Sequence, residues 1–155
     1  MEKIRNILFL YFPVILFVNC ASNKIGTVST QVVALSGTED GTISIRSTGQ
    51  GNKEADAVKT AEIRAFNTLI FYGLTSSVQT RPMVENESEV KKKHASFFDN
   101  FFEKGGYKNF IVSSSTSTSS QKAGKYIYLN RDIKINLRSL RTNLETNNII
   151  RKFGY

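Results

Sequence analysis

An α+β fold is predicted for this chain, an antiparallel sheet with a long alanine-rich helix and further helices packed on one face. Three observations predict it. From Ile127 to Leu137 the residues alternate, with Ile127, Leu129, Ile133, Ile135 and Leu137 on one side, interrupted by Arg131, and Tyr126, Tyr128, Asn130, Asp132, Lys134 and Asn136 on the other. One packed face and one wet face is the pattern of an antiparallel strand. Thr42 to Ser47 alternates just as strictly, which marks a second half-buried strand. Between them, at 100° per residue, Ala55, Ala57, Val58, Ala61, Ile63, Ala65, Phe66, Leu69 and Ile70 form one broad apolar arc, wide enough for a helix laid across a sheet.

The elements follow in order. Val32-Val33-Ala34-Leu35, then Gly37 and Asp40-Gly41, then Thr42–Ser47 reads as a hairpin with a loop longer than two residues. Gly49-Gln50-Gly51-Asn52 is expected to break the second strand. A helix then starts at Lys53, with Asn52 as N-cap, Glu54 and Asp56 in the first turn, and Gly73 as its stop. Glu62 falls inside the apolar arc, where a carboxylate needs a partner or an exposed edge. Ser77 to Val84 reads as a strand or extended arm, placed at an edge by Pro82. Val90 to Glu103 reads as one helix with Val90, His94, Phe97, Phe98 and Phe101 on a shared face, ended by Gly105-Gly106.

Phe110-Ile111-Val112 opens a strand that runs into the Ser/Thr tract 113–120. That tract fits either a loose loop or a polar hairpin arm turning over Gln121 to Lys125. Leu137, Leu140 and Leu144 repeat at helical spacing, with Asn147-Asn148 as the end, and Ile149 to Tyr155 is apolar enough to fold back on the core.

The first twenty residues have a different character. Lys3 and Arg5 precede Ile7 to Val18, twelve residues without a charge and with Pro13 among them. A spanning helix needs roughly twenty apolar residues, so the run has the length of a cleaved signal core. It ends at Cys20, the only cysteine in the chain, which excludes an intrachain disulfide. The segment Val18-Asn19-Cys20-Ala21 resembles the lipobox of bacterial lipoproteins, departing from it at Asn19, where a smaller residue usually stands. That resemblance implies cleavage after residue 19, acylation of Cys20 and attachment to a membrane through two or three acyl chains, enough to hold firmly. The alternative is ordinary cleavage near Ser22, leaving a soluble protein. Ala21-Ser22, with no aspartate after the cysteine, resembles the context of outer-membrane sorting; the periplasmic face rather than the surface is the expected side. Residues 1–19 are thus a signal peptide, 20–30 a lipidated end and short polar tether, and 31–155 a single domain.

One further likeness covers much of that domain. An alternating strand, a Gly-x-Gly break (Gly49, Gly51) and an Ala-rich helix (Ala55, Ala57, Ala61, Ala65, Leu69), with a long amphipathic strand and Leu-containing helix at the end (Tyr126 to Leu144), resembles the twenty-kilodalton membrane-associated lipoprotein family and the N-terminal domain of flagellar assembly protein T. The likeness implies an envelope lipoprotein without catalysis.

Composition and motifs restrict the chemistry. The net charge of +8 falls by one when Lys3, Arg5 and Glu2 leave with the signal. Export turns this basic balance away from nucleic acid and toward anionic envelope surfaces, or toward plain solubility. His94 is the only histidine, so no metal centre of the usual His/Cys kind is expected; Glu85, Glu87 and Glu89 read as a solvated loop. Gly49-Gln50-Gly51-Asn52-Lys53-Glu54 carries Glu54 where a dinucleotide loop needs its third glycine, and a carboxylate there repels pyrophosphate. No Gly-x-Ser-x-Gly elbow accompanies the serines. No cofactor and no catalytic residue is expected. The expected binding surface is Lys91, Lys92 and Lys93, with Lys104 and Lys108 nearby, joined by Tyr126 and Tyr128 on the polar strand face; a solvated helix face is the duller account. The expected role is non-enzymatic binding of an envelope protein or anionic polymer through the sheet face or basic helix. The rival role is a structural subunit of an envelope assembly or secretion complex that pairs through edge strands.

Overall fold

The two strands with the clearest alternation pair with each other. In the computed structural model, which describes residues 31–36, 41–117 and 119–152, β2 (Thr42–Gly51) and β5 (Tyr126–Asn136) run antiparallel in unbroken register from Thr42 opposite Asn136 to Gly51 opposite Ile127. β1 (Val32–Ser36) pairs on the far side of β2, and β3 (Ile111–Thr116) on the far side of β5. The short β4 (Gln121–Ala123) also pairs with β5, over Tyr126 to Tyr128, so β3 and β4 lie end to end along one edge of the same long strand. The sheet order is β1-β2-β5-β3. The expected hairpin of β1 and β2 is present; its loop, residues 37–40, lies outside the described residues, as do the signal segment, Cys20 and the tether.

Register sorts the side chains. Ile43, Ile45, Ser47 and Gly49 face one way, opposite Ile135, Ile133, Arg131 and Leu129, and the helices cover this face. α1 (Glu54–Phe71) buries Ala57, Ala61, Ala65, Phe66, Leu69 and Ile70 against it. α4 (Leu137–Thr146) adds Leu140 and Leu144, each fully buried, and Ile149 folds back onto the same core as expected. Residues 153–155 lie outside the described residues.

Several elements differ from the sequence reading. Gly49 and Gly51 do not break β2, which pairs through Gly51. They serve a close approach instead: a Cβ on Gly49 would lie 1.8 Å from the Ala57 carbonyl oxygen, and one on Gly51 2.5 Å from the Ala57 nitrogen. Helix α1 accordingly starts one residue later than expected, with Lys53 as N-cap. Its amide hydrogen-bonds back to the Asp56 carboxylate at 3.2 Å.

The segment 77–84 is a loop rather than a strand, because its amides serve the end of α1. Met83 and Val84 both donate to the Ile70 carbonyl at 2.9 Å, and Leu74 donates to Gln79 at 2.7 Å. The predicted single helix over 90–103 is three pieces: α2 (Glu87–Lys93), α3 (Ala95–Phe98) and a π turn (Asp99–Glu103). His94 sits at the break with φ −118° and ψ 37°. The π turn widens the backbone, with the Lys104 amide reaching the Asp99 carbonyl at 3.1 Å. Phe98, Phe101 and Phe102, at i, i+3 and i+4, all remain buried through this turn. A 3₁₀ turn (Gly106–Phe110) that the sequence did not announce then buries Tyr107. Finally, Gln121–Ala123 is strand and not turn; the reversal is Gly124-Lys125.

Candidate functional site

With the helices on one face, the other face of the sheet carries polar side chains in ordered cross-strand pairs. Arg46 on β2 and Asp132 on β5 are directly opposite, and the guanidinium grips the carboxylate with both prongs, Nε to Oδ1 at 2.7 Å and Nη2 to Oδ2 at 2.8 Å. Such a fork is the strong, planar form of the ion pair. The Arg46 hydrogen bond holds the Asp132 carboxyl below the usual carboxylate range, and Ser117 adds a smaller pull in the same direction. Next along the ladder, the Thr48 hydroxyl donates to Asn130 Oδ1 at 2.7 Å. A shallow depression of about 230 Å³ lies beside the fork, lined by Leu35, Ser44, Ser113, Ser115, Asp132 and Lys134 among others. β1 borders it with Leu35, 42% exposed, and carries Val33, 37% exposed, farther along the same strand. The serine tract thus contributes strand residues to an organised surface.

The predicted surface residues do not meet in one place. Lys91 is half-buried: its ammonium donates to Glu87 Oε1 at 2.6 Å and sits 4.6 Å from the centre of the Phe71 ring. That hydrogen bond holds Glu87 below its usual range, and Glu87 in turn accepts from the Tyr72 hydroxyl at 2.7 Å. Lys92, Lys93 and Lys108 are exposed, while Lys104 pairs with Asp99 at 3.3 Å. Tyr126 and Tyr128 are half-buried on β5, opposite β4, with the Lys125 ammonium 5.1 Å from the Tyr126 ring centre. Phe71, under Lys91, is the last residue of α1, whereas Gln50, opposite Tyr128, precedes its first. A helix of 18 residues spans about 27 Å, and that length separates the two groups.

Glu62, the carboxylate inside the apolar arc, has found partners. It is 6% exposed, accepts from the Tyr107 hydroxyl at 3.2 Å on Oε2, and faces Arg131 Nε at 3.6 Å on Oε1. Arg131, which interrupts the apolar face of β5, also donates from Nη2 to the Ser114 hydroxyl at 2.7 Å and from Nη1 to the Thr116 hydroxyl at 3.3 Å. Ser47 lies directly opposite Arg131 in register, fully buried, and its hydroxyl makes no hydrogen bond among the described residues. Arg131 was visible in the sequence as a break in alternation. Tyr107 and the two hydroxyls were not, since they come from segments whose conformation the sequence left open.

Burial, with Glu62 close by, pushes the Tyr107 phenol up to about 12. An unfolded chain releases this proton near pH 10, so the raised folded value stabilises the fold fully below that pH and progressively less up to about 12. A shift of this size corresponds to about 2–3 kcal/mol. Urea unfolding at pH 9 and pH 11 is expected to show about half of that loss, with a shallower loss in Tyr107→Phe; identical slopes for the two proteins would contradict the assignment.

His94 is half-buried at the helix break, and its amide donates to the Val90 carbonyl at 2.9 Å. Among the described residues no three His, Cys, Asp or Glu side chains are grouped to hold a metal ion, and no helix is long and apolar enough to cross a membrane. Comparison of the chain with protein-family models, with curated proteins and with solved structures finds no match.

Proposed function

We propose that this protein is a non-enzymatic lipoprotein of the cell envelope, held to the outer membrane by acyl chains on Cys20 and facing the periplasm, whose sheet face binds another envelope component. The observation that carries this reading is the one-sided layering. α1 and α4 cover one face of the sheet, and the opposite face presents the Arg46–Asp132 fork, the Thr48–Asn130 pair and the serine-lined depression. Paired, pre-oriented polar side chains on rigid strands lose little freedom on binding. Only a short stretch separates Cys20 from Val32; at about 3.3 Å per residue it keeps the domain within ~40 Å of its anchor, so the partner is a membrane neighbour, protein or anionic polymer.

A second reading rests on β1. It forms one edge of the sheet, and its exposed Val33 and Leu35 suit a partner strand in an envelope assembly or secretion complex.

One experiment tests the anchor and the face together. In cells expressing the parent, Cys20→Ser or Ser115→Trp, membranes are fractionated after mild crosslinking, and adducts are washed at low and high salt. The parent and Ser115→Trp are expected in the membrane fraction and Cys20→Ser in the soluble one. Adducts are expected with the parent and at least about fivefold fewer with Ser115→Trp, whose indole covers the depression. Contacts made by exposed charges fade as salt rises, whereas strand pairing persists. A Cys20→Ser protein that still sediments with membranes would remove the anchor from the account.

A further inference from the structure

Away from the sheet, α3, the π turn, the 3₁₀ turn and α4 enclose a groove of about 370 Å³, within the ~300–1,000 Å³ range of small-ligand sites. Its composition is unusual for this chain. Four asparagines, at 100, 109, 143 and 147, and three phenylalanines, at 97, 101 and 110, line it, with Ser96 and Gly106 completing the wall. Among the described residues no charged side chain lines it, although 22% of the whole sequence is charged. A wall without cations or carboxylates selects for a neutral ligand, since a charged one entering it would shed water without gaining a counter-charge.

The phenylalanines form a layered platform. Phe97 lies over Phe101 with centroids 5.6 Å apart and planes 20° apart, and Phe101 over Phe110 at 5.9 Å and 28°. Phe101 is the buried middle ring, and the outer two are half-buried at the rim. An aromatic face attracts the slightly positive C–H groups of a flat, partly apolar ring. The amides beside it are available. Asn100 and Asn109 are exposed and Asn143 half-buried, and none of the three makes a side-chain hydrogen bond among the described residues. Asn147 is the exception, its Nδ2 donating to the Asn143 carbonyl at 2.8 Å and so fixing that rim of α4. Each free amide offers both a donor and an acceptor, the complement of another amide and of vicinal hydroxyls.

From these features we infer that the groove is a binding site for an uncharged, N-acetylated saccharide, with a sugar ring stacked on the phenylalanine platform and its acetamide and hydroxyl groups paired to Asn100, Asn109 and Asn143. A pyranose ring supplies an apolar C–H face and a polar rim at right angles to it, and the acetamide supplies the amide that three asparagines select over a plain hydroxyl. The site lies on helical segments and is separate from the bare face of the sheet, so it stands or falls independently of the reading given above.

The test uses a β-1,4-linked N-acetylglucosamine tetramer as probe, titrated into the isotopically labelled folded protein and followed by NMR, with the glucose tetramer and the deacetylated, cationic tetramer alongside. The acetylated probe is expected to give saturable shifts centred on residues 96–110 and 143–147. Its affinity should be unchanged between about 0.05 and about 0.5 M salt, because no charge takes part. Asn143→Ala and Asn109→Ala remove one amide each without a core contact, and each is expected to weaken binding about tenfold. Either variant alone suffices if the other loses its fold. No shifts with the acetylated probe, shifts centred elsewhere, equal affinity for the glucose or the deacetylated tetramer, or full affinity in the folded asparagine variants would each overturn the assignment.

Discussion

Gly49→Ala is expected to destabilise the domain by at least about 3 kcal/mol, at or beyond the upper end of what overpacking costs. The added methyl carbon would stand 1.8 Å from the Ala57 carbonyl oxygen and 2.7 Å from the Ala61 nitrogen. Both obstacles are helix backbone, so no side chain can swing aside to admit it. Helix α1 would have to lift from β2 by more than an ångström. That movement withdraws Ala57 and Ala61 from Leu129, with which they form their own small apolar cluster, and stretches the hydrogen bond from Arg64 to the Thr48 carbonyl. For a domain of this size the loss lowers the thermal midpoint by roughly 10 °C, measured by circular dichroism. Gly51→Ala is the internal comparison. Its obstacles, the Ala57 nitrogen and the Asp56 Cβ, both stand at 2.5 Å rather than 1.8 Å, so less displacement is needed and its loss is expected to be smaller. A Gly49→Ala protein that melts with the parent would mean that α1 does not seat on the strand as described.

Glu62→Gln is expected to be the second most damaging single change, at about 3 kcal/mol. Breaking a buried ion pair by removing one charge typically costs about 3–5 kcal/mol, because the other charge is left uncompensated. Here the lower end applies: the Arg131 side chain keeps 19% exposure and two hydroxyl partners, Ser114 and Thr116. The double change Glu62→Leu with Arg131→Met replaces the pair by apolar groups of similar reach and is expected to recover most of that loss, since well-packed hydrophobic replacements of buried pairs are often neutral or better. Urea midpoints of the parent, the single variant and the double variant decide it. If the double variant is as weak as the single one, the pair does not act as a self-contained unit.

These two positions also show where the sequence was readable and where it was not. The long alternation of β5 and the shorter one of β2 identified the two central strands and their inner faces, because a half-buried strand writes its burial at period two. The arc of α1 and the leucine spacing of α4 were readable for the corresponding helical reason. Gly49 and Gly51, by contrast, look like turn residues, and only the packed partner explains why a strand needs them. The phenylalanine-rich segment misled for a related reason: its i, i+3 and i+4 spacings fit one helix, and neither the break at His94 nor the π turn leaves a mark in that spacing. The candidate surface was less legible than the fold. Lysine runs and strand tyrosines are visible one residue at a time, but whether they converge depends on where α2 and β5 lie along α1. Arg46 and Asp132, 86 residues apart, become neighbours only through register.

The same separation has a consequence for how the molecule is made. β5 touches β2, β3 and β4, yet among the described strands it is the last to leave a ribosome. Until then β1 and β2 are a lone hairpin, marginal in water, with Ile43 and Ile45 lacking the neighbours that later enclose them. Helix α1 has no completed floor to rest on. Contacts that close over so long a stretch of chain form slowly, so a nascent polypeptide of this design stays open until β5 has been made. The arrival of β5 gives β2, β3 and β4 their common partner at once, so the sheet closes around one strand.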